Sequence, residues 1–231
     1  DASIHVDCYR NKALDLNTLA DNAYGIKVPS QTQLLLDKSS FTISFWVKAD
    51  PSLMPQDNNT DQYLLCKGSI GTDATIGSTG KRIDLECKNK TLRFALDDAN
   101  DANGGGKDEL TTDASPVYTG QWVNVILMRD SADKQMRIYI NGSQVAEKSI
   151  SKSTSGTGEA SALILGNIGE LELASGKTTP APFRGMFDEV KIYNYALSQG
   201  QVNQLSDHYP QGLVGYWSFD ETGSTPVVTD S

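Results

Sequence analysis

The chain has 231 residues, 38% of them hydrophobic, which is enough for one large domain or two small ones and excludes a disordered polymer. Twenty basic residues stand against 29 acidic ones, a formal net charge of -9, so the surface repels phosphate backbones and nucleic acid is not an expected partner. Apolar runs such as Val125 to Met128 are far shorter than the roughly 20 residues of a bilayer-spanning helix, so no membrane insertion is expected.

The first ten residues, DASIHVDCYR, lack a basic region followed by an apolar stretch; a secretion signal is expected to have been removed or to lie upstream in a longer parent chain. KALDLN (Lys12 to Asn17) and AYGIKVP (Ala23 to Pro29) read as two strands joined by the polar loop Thr18 to Asn22. The clearest strand lies in Ser40 to Asp50, where Phe41, Ile43, Phe45 and Val47 alternate. Beyond a proline-containing loop come the strand Tyr63 to Lys67 and a glycine-rich loop, then a hairpin-like pair, Arg82 to Cys87 and Leu92 to Leu96. Asp97 to Pro116 is expected to be one long loop rich in Asp, Asn and Gly. Asp101, Asn103 and Gly105 begin a calcium-loop spacing, but its twelfth position is Thr112 instead of Glu, so the loop reads as a solvated insertion.

Gln121 to Asp130 is nearly continuous in apolar residues, as expected of a central strand buried on both faces. Gln135 to Ile140 and Ser143 to Ser149 flank Asn141-Gly142, a strong two-residue hairpin signal. The strand ALILGN follows, then FRGMFDEVKIYNYAL, Phe183 to Leu197, in which Asp188 stands among Met186, Phe187, Val190 and Ile192. A carboxylate there has to be satisfied by solvent, by backbone N–H groups or by a metal ion. Ser198 and Gln201 form a capping-box pattern that predicts one short helix, and Gly212 to Glu221 reads as a last strand. A dozen short strands and one small helix give an all-β class: a two-sheet antiparallel β-sandwich of jelly-roll type.

Three cysteines, Cys8, Cys66 and Cys87, allow at most one internal bridge. Cys66 and Cys87 lie on neighbouring strand-like segments; a disulfide between them would contribute about 3 kcal/mol, and two buried free thiols are the alternative. His5 and His208 have no nucleophile elbow beside them, and Glu170 and Glu172 read as a solvated loop edge. For sugar binding the aromatic and amide candidates are Trp122, Asn124, Tyr63 and Tyr118, with Trp46 beside them, although Trp46 and Trp122 sit inside apolar strand runs, where core packing is the favoured reading.

In order along the chain, FTISFWVK, QWVNVILMRD, MRIYINGSQV, ALILGN and FRGMFDEVKIYNYALS resemble the signature strands of bacterial laminin-G-like domains of the concanavalin A-like lectin/glucanase superfamily, over residues 12 to 206. The resemblance implies a jelly roll in a secreted or cell-surface bacterial protein, binding a glycan or a surface protein as a non-catalytic module joined covalently to neighbouring domains. A structural spacer or protein-interaction module is the first rival reading, and a glycoside-active enzyme domain with an unrecognised site the second. It also implies a structural calcium ion near Asp188, with Asn17, Asp21 and Asn22 as further oxygen donors. Glucanases of this fold carry Glu-x-Asp-x-x-Glu on a strand; here RIDLECK has Asp84 and Glu86 but Arg82 where the first Glu belongs, so the catalytic motif is absent. In the family a segment like GLVGYWSFDE opens a domain, whereas here it comes last. Residues 1–210 are therefore expected to form the domain, and 211–231 a tail that starts a following module or adds a strand to a neighbour or to this domain.

Overall fold

The computed structural model describes residues 3–5, 13–20, 25–36, 38–53, 61–68, 81–88, 90–98, 106–113, 116–152, 162–168, 182–205 and 215–217. One sheet contains β1 (Ser3–His5), β2 (Ala13–Asp15), β4 (Phe41–Ala49), β9 (Val123–Asp130), β10 (Gln135–Ile140), β11 (Ser143–Ser149), β13 (Gly185–Tyr193) and β14 (Gly215–Trp217). Its order is β1-β2-β13-β4-β9-β10-β11, with β14 also on β13. The other contains β3 (Ile26–Val28), β5 (Gln62–Gly68), β6 (Arg82–Lys88), β7 (Thr91–Asp97), β8 (Lys107–Thr111) and β12 (Leu163–Leu165), in the order β3-β12-β5-β6-β7-β8. All pairings are antiparallel, and the apolar inner faces form one core between the sheets. This is the two-sheet sandwich expected of the strand pattern.

Strand alternation assigns the faces. On β4, Phe41, Ile43, Phe45 and Val47 enter the core, where Phe45 and Phe183 each lie 5.4 Å, ring centre to ring centre, from Phe187. The apolar residues on the other face of β9, Ile126 and Met128, are covered by a second, smaller cluster containing Leu197, Val202 and Leu205. Val202 belongs to the helix α1 (Gln199–Gln204), whose capping box forms as expected: Ser198 Oγ accepts from Gln201 N and the Gln201 side chain accepts from Ser198 N. Asn141 and Gly142 both have positive φ, so the β10–β11 turn takes the form that this pair favours.

One local expectation changes, and two points that the sequence left open are decided. Although β2 and β3 are consecutive, they belong to different sheets. The stretch read as a single loop contains β8, whose KDELT sequence offers only Leu110 as a large apolar residue. Cys66 and Cys87 are free and buried: Cys66 sits opposite Asp84 and Cys87 opposite Gln62, with Cys87 in the main core and Cys66 in a separate small cluster, so no bridge can form. Cys8, Glu170, Glu172 and His208 lie outside the described residues.

The position of Asp188 follows from a β-bulge. Asp188 pairs with Trp46 and Lys191 with Ser44, so Glu189 and Val190 together face the single residue Phe45, and Glu189 has φ of 48°. The extra residue shifts the alternation, sending Val190 and Ile192 into the core with Phe187 while Asp188 and Lys191 share the outer face. Asp188 Oδ1 accepts the Glu189 amide at 2.7 Å, which ties the buried carboxylate to the bulge itself. The outer edge of β13 is shared: β2 pairs at Met186 and Phe187, and β14, from the C-terminal stretch, pairs at Val190 to Ile192. Among the described residues no helix is long and apolar enough to cross a membrane.

β13 starts at a close backbone approach. A Cβ on Gly185 would stand 2.3 Å from the Lys48 carbonyl oxygen and 2.8 Å from Ala49 Cα. Gly185→Ala is expected to cost about 3 kcal/mol by forcing β13 away from β4, read as a lowered urea midpoint. A variant with wild-type stability would show that this approach is not needed.

Candidate functional site

The outer face of the six-stranded sheet carries an ordered set of charges. With Ile83, Leu85 and Cys87 of β6 and Leu92, Phe94 and Leu96 of β7 in the core, alternation turns Arg82, Asp84 and Glu86, and Arg93, Ala95 and Asp97, outward. Lys107 and Glu109 of β8 join them, since Leu110 points inward. Register arranges these side chains in three rows across the strands: Tyr63, Glu86, Arg93 and Thr111; Cys66, Asp84, Ala95 and Glu109; Gly68, Arg82, Asp97 and Lys107.

Arg93 is the centre. Its Nε donates to Glu86 and its Nη1 to Glu109, while Nη2 lies 3.8 Å from Asp84 Oδ1. The short Ala95 between Asp84 and Glu109 leaves room for the fork to reach both. Arg82 Nε donates to Asp84 at 2.5 Å and its Nη1 stands 3.7 Å from Asp97; Lys107 pairs with Glu109 at 2.5 Å. Three cations thus interlock with four carboxylates. Burial grades across the set: Asp84 and Glu86 are almost wholly out of water, whereas the Glu109 side chain is 40% and the Lys107 side chain 32% exposed. The inner carboxylates therefore fix the guanidinium planes, and the outer groups present donors and acceptors to solvent.

Proton affinities follow this arrangement. Burial, and then the Asp84 and Glu86 charges, push the Tyr63 phenol far above its ordinary value. Burial disfavours the Arg93 charge, but its hydrogen bond to Glu86 and the Asp84 and Glu86 charges outweigh it and raise the guanidinium further. Burial, with Arg93 and Arg82 nearby, lowers Lys107.

The residues singled out from the sequence do not gather at one place. Tyr63 belongs to this outer face, beside Glu86 and in a small cluster with Cys66 and Ile168. Tyr118, in the short helical turn 116–119, packs against the main core and hydrogen-bonds Cys87, whose thiol is pushed up chiefly by burial. Trp122 is half-buried just before β9. Asn124 is buried on the opposite sheet, where its Nδ2 donates to Ser44 Oγ and the Phe45 carbonyl. Trp46 lies between Asn124 and Asp188 in the same register and is buried as well.

Asn17 follows β2 and lines a small cleft of about 160 Å³ with Lys48, Asp50 and Met186. Because Asp15 pairs with Met186, Asn17 falls level with residue 184, about 13 Å along β13 from Asp188 at 3.3 Å per residue. Calcium ligands converge at 2.3–2.6 Å, so one ion cannot take both side chains. The backbone carbonyls of this loop already face a cation: Arg184 Nη1 donates to Asn17 O at 3.2 Å, to Leu16 O at 3.5 Å and also to Leu19 O. Among the described residues no group of three or more His, Cys, Asp or Glu could hold a metal. Asn17 and Asp188 therefore cannot hold one ion together; Asp21, Asn22, Asp101, Asn103 and Gly105 lie outside the described residues.

Sequence reasoning paired Asp84 with Glu86 correctly but missed Arg93, Glu109 and Lys107. The signal was the alternation of charged and apolar residues in RIDLECK and, broken only at Ala95, in the LRFALD part of the next strand, which places like-facing charges opposite each other once the hairpin is recognised.

Fold and site define an antiparallel jelly-roll domain with a polar sheet face. A family model described as the concanavalin A-like lectin/glucanases superfamily matches residues 21–203, and the chain belongs to that superfamily. No curated protein matches in sequence. Among solved structures, the binding domain of Paraclostridial Mosquitocidal Protein 1 superposes with a TM-score of 0.66 at 18% identity over 89% of this chain. The chain spans only 45% of that structure. The Ruminococcus gnavus IT-sialidase CBM40, solved with α2,3 sialyllactose, superposes with a TM-score of 0.54 at 21% identity, covering 80% of this chain and 97% of that one. Domain 4 of AbnA, a GH43 extracellular arabinanase from Geobacillus stearothermophilus solved with arabinotriose, gives 0.55 at 18% identity, covering 90% and 82%.

Two outcomes test this geometry. The folded state holds the Tyr63 proton above the unfolded tyrosine value of about 10, so its contribution to stability is complete below pH 10 and is lost as pH rises beyond it. Ultraviolet titration should show that Tyr63, identified by Tyr63→Phe difference spectra, ionises only together with alkaline unfolding; its reversible ionisation near pH 10 in the folded protein would contradict the burial. Arg184→Met should cost about 2 kcal/mol through the lost charge-assisted bonds, read as a lowered unfolding midpoint. A variant with wild-type stability would contradict the assignment of that carbonyl loop to Arg184.

Proposed function

We propose that this domain is a non-catalytic carbohydrate-binding module that works outside the cell, as part of a larger secreted or surface bacterial protein, with the glycan seated on the outer face of the six-stranded sheet. The observation that carries the reading is the interlocked set on β6, β7 and β8. Planar guanidinium and carboxylate groups, held in register by buried partners, offer the paired donors and acceptors that sugar hydroxyls require, at little cost in side-chain entropy on binding. Solved relatives of the same fold include a sialidase module holding sialyllactose and an arabinanase domain holding arabinotriose, each a part of a larger protein.

A catalytic role draws no support from the same residues. Asp84 and Glu86 are both buried and both engaged with arginine, and Arg82 occupies the strand position of the first glutamate in the glucanase pattern.

Glycan-array binding with the purified chain tests the proposal. Lys107→Ala combined with Glu109→Gln, both at the exposed rim of the set, should weaken binding of neutral glycans by about tenfold or more, equivalent to at least one charged hydrogen bond, with the unfolding midpoint within about 2 °C of wild type. Absence of binding to any glycan would sink the lectin reading in favour of a structural spacer, and hydrolysis of an arrayed sugar would replace it with an enzyme.

A further inference from the structure

A second polar feature lies beside the start of β10 and the end of β11. A cavity of about 450 Å³ opens there, lined by Lys38, Arg129, Ser131, Lys134, Ile150 and Ser151. Three separate segments meet at it: the approach to β4, the end of β9 with the turn into β10, and the exit from β11. They are joined by Ser131 N donating to Ser40 Oγ at 2.9 Å and Ile150 N donating to Lys134 O at 2.8 Å. Arg129 continues the inward alternation of Val125 and Leu127 and is 3% exposed, so its side chain enters the end of the sandwich instead of lying on the surface.

In a chain with net charge -9, three of these lining residues, Lys38, Arg129 and Lys134, are cationic, and no carboxylate is among the described ones. Of the acidic groups nearby, Asp130 and Asp133 pair with Arg137, whereas the buried Asp108 accepts from Ser151 N, Ser151 Oγ and Lys152 N and stands behind the cavity wall. Lys38 and Lys134 are exposed and form no ion pair among the described residues. Ser131 Oγ and Ser40 Oγ are 2.8 Å apart, either hydroxyl being able to donate to the other, and Ser40 Oγ also accepts the Ser131 amide. Ile150 supplies one apolar wall.

A buried guanidinium, two exposed ammonium groups and serine hydroxyls around a cavity within the usual small-ligand range suit a singly charged anion carried on a ring. We infer that this cavity is a subsite for the anionic substituent, carboxylate or sulfate ester, of an acidic sugar residue. The inference rests on the glycan-binding reading and adds a preference for acidic over neutral saccharides. Fixed positive charge in an otherwise acidic surface would also steer such ligands into the cavity.

The test is calorimetric titration of the chain with paired oligosaccharides: uronate- and sialate-terminated sugars beside their methyl esters, and a sulfated sugar beside its unsulfated parent. At least one acidic member should bind about tenfold or more tighter than its neutral partner, with a preference that shrinks as salt is raised. Lys38→Gln combined with Lys134→Gln should abolish the preference; both lysines are exposed, and an unchanged unfolding midpoint confirms that the variant is folded. Equal affinity for acidic and neutral partners overturns the subsite, as does a preference that survives in the double variant. Neutral sugars that bind without any acidic preference would overturn the cavity and leave the sheet-face reading standing. Acidic sugars that bind through the lysines while no neutral sugar binds would support the cavity and remove the sheet face.

Discussion

Asp84 and Glu86 lie out of water on a single strand, and a carboxylate in that position is tolerable only beside a cation. Much of the six-stranded sheet follows from that requirement. It places Arg82 on the same strand face and Arg93 on the next strand, and it favours the small Ala95 where the guanidinium has to pass. Because each partner comes from a different register position, a one-residue slip between β6 and β7 would turn these charges into the core. The ion pairs therefore specify the alignment of the hairpin more than they stabilise it. Withdrawing a single cation would be costly, while the intact set gains little over an apolar equivalent.

The eight-stranded sheet meets the same problem differently. Asp188 is satisfied by a backbone amide that becomes available because Glu189 adopts a left-handed conformation in the bulge. The bulge also brings Val190 and Ile192 to the core side, so one local irregularity places both the carboxylate and the packing. Arg184 plays a similar part at the other end of β13, gathering the carbonyls of the loop after β2. One sheet thus uses its outer face for structure, covered by α1 and joined by β14, while the other keeps an ordered polar face.

Most of the architecture was legible because the strands that dominate the core alternate cleanly. Phe41 to Val47, the Asn141-Gly142 turn and the Ser198 capping box each carry a local signal that tertiary contacts only reinforce. Elements that depend on remote partners were not legible. β8 is too polar to announce itself, β2 and β3 separate into two sheets, and the bulge at Glu189 has no glycine to mark it. The site shows the same limit. RIDLECK was read for the catalytic glutamate it lacks, although Arg82 in that place has a positive role as the partner of Asp84 and Asp97. Tyr63 stands out in the sequence for its aromatic ring, yet it is buried and its place beside Glu86 comes from register with the next strand across a long connection.

Amide chemical-shift mapping of the labelled domain during titration with a neutral oligosaccharide that it binds tests the central claim most directly, because it reports where the sugar sits. The account predicts perturbations concentrated on β5 to β8, around Tyr63, Glu86, Arg93, Lys107 and Glu109, with β13 and α1 unmoved. Perturbations confined to the outer face of the eight-stranded sheet, or to the cleft at Asn17, would contradict it.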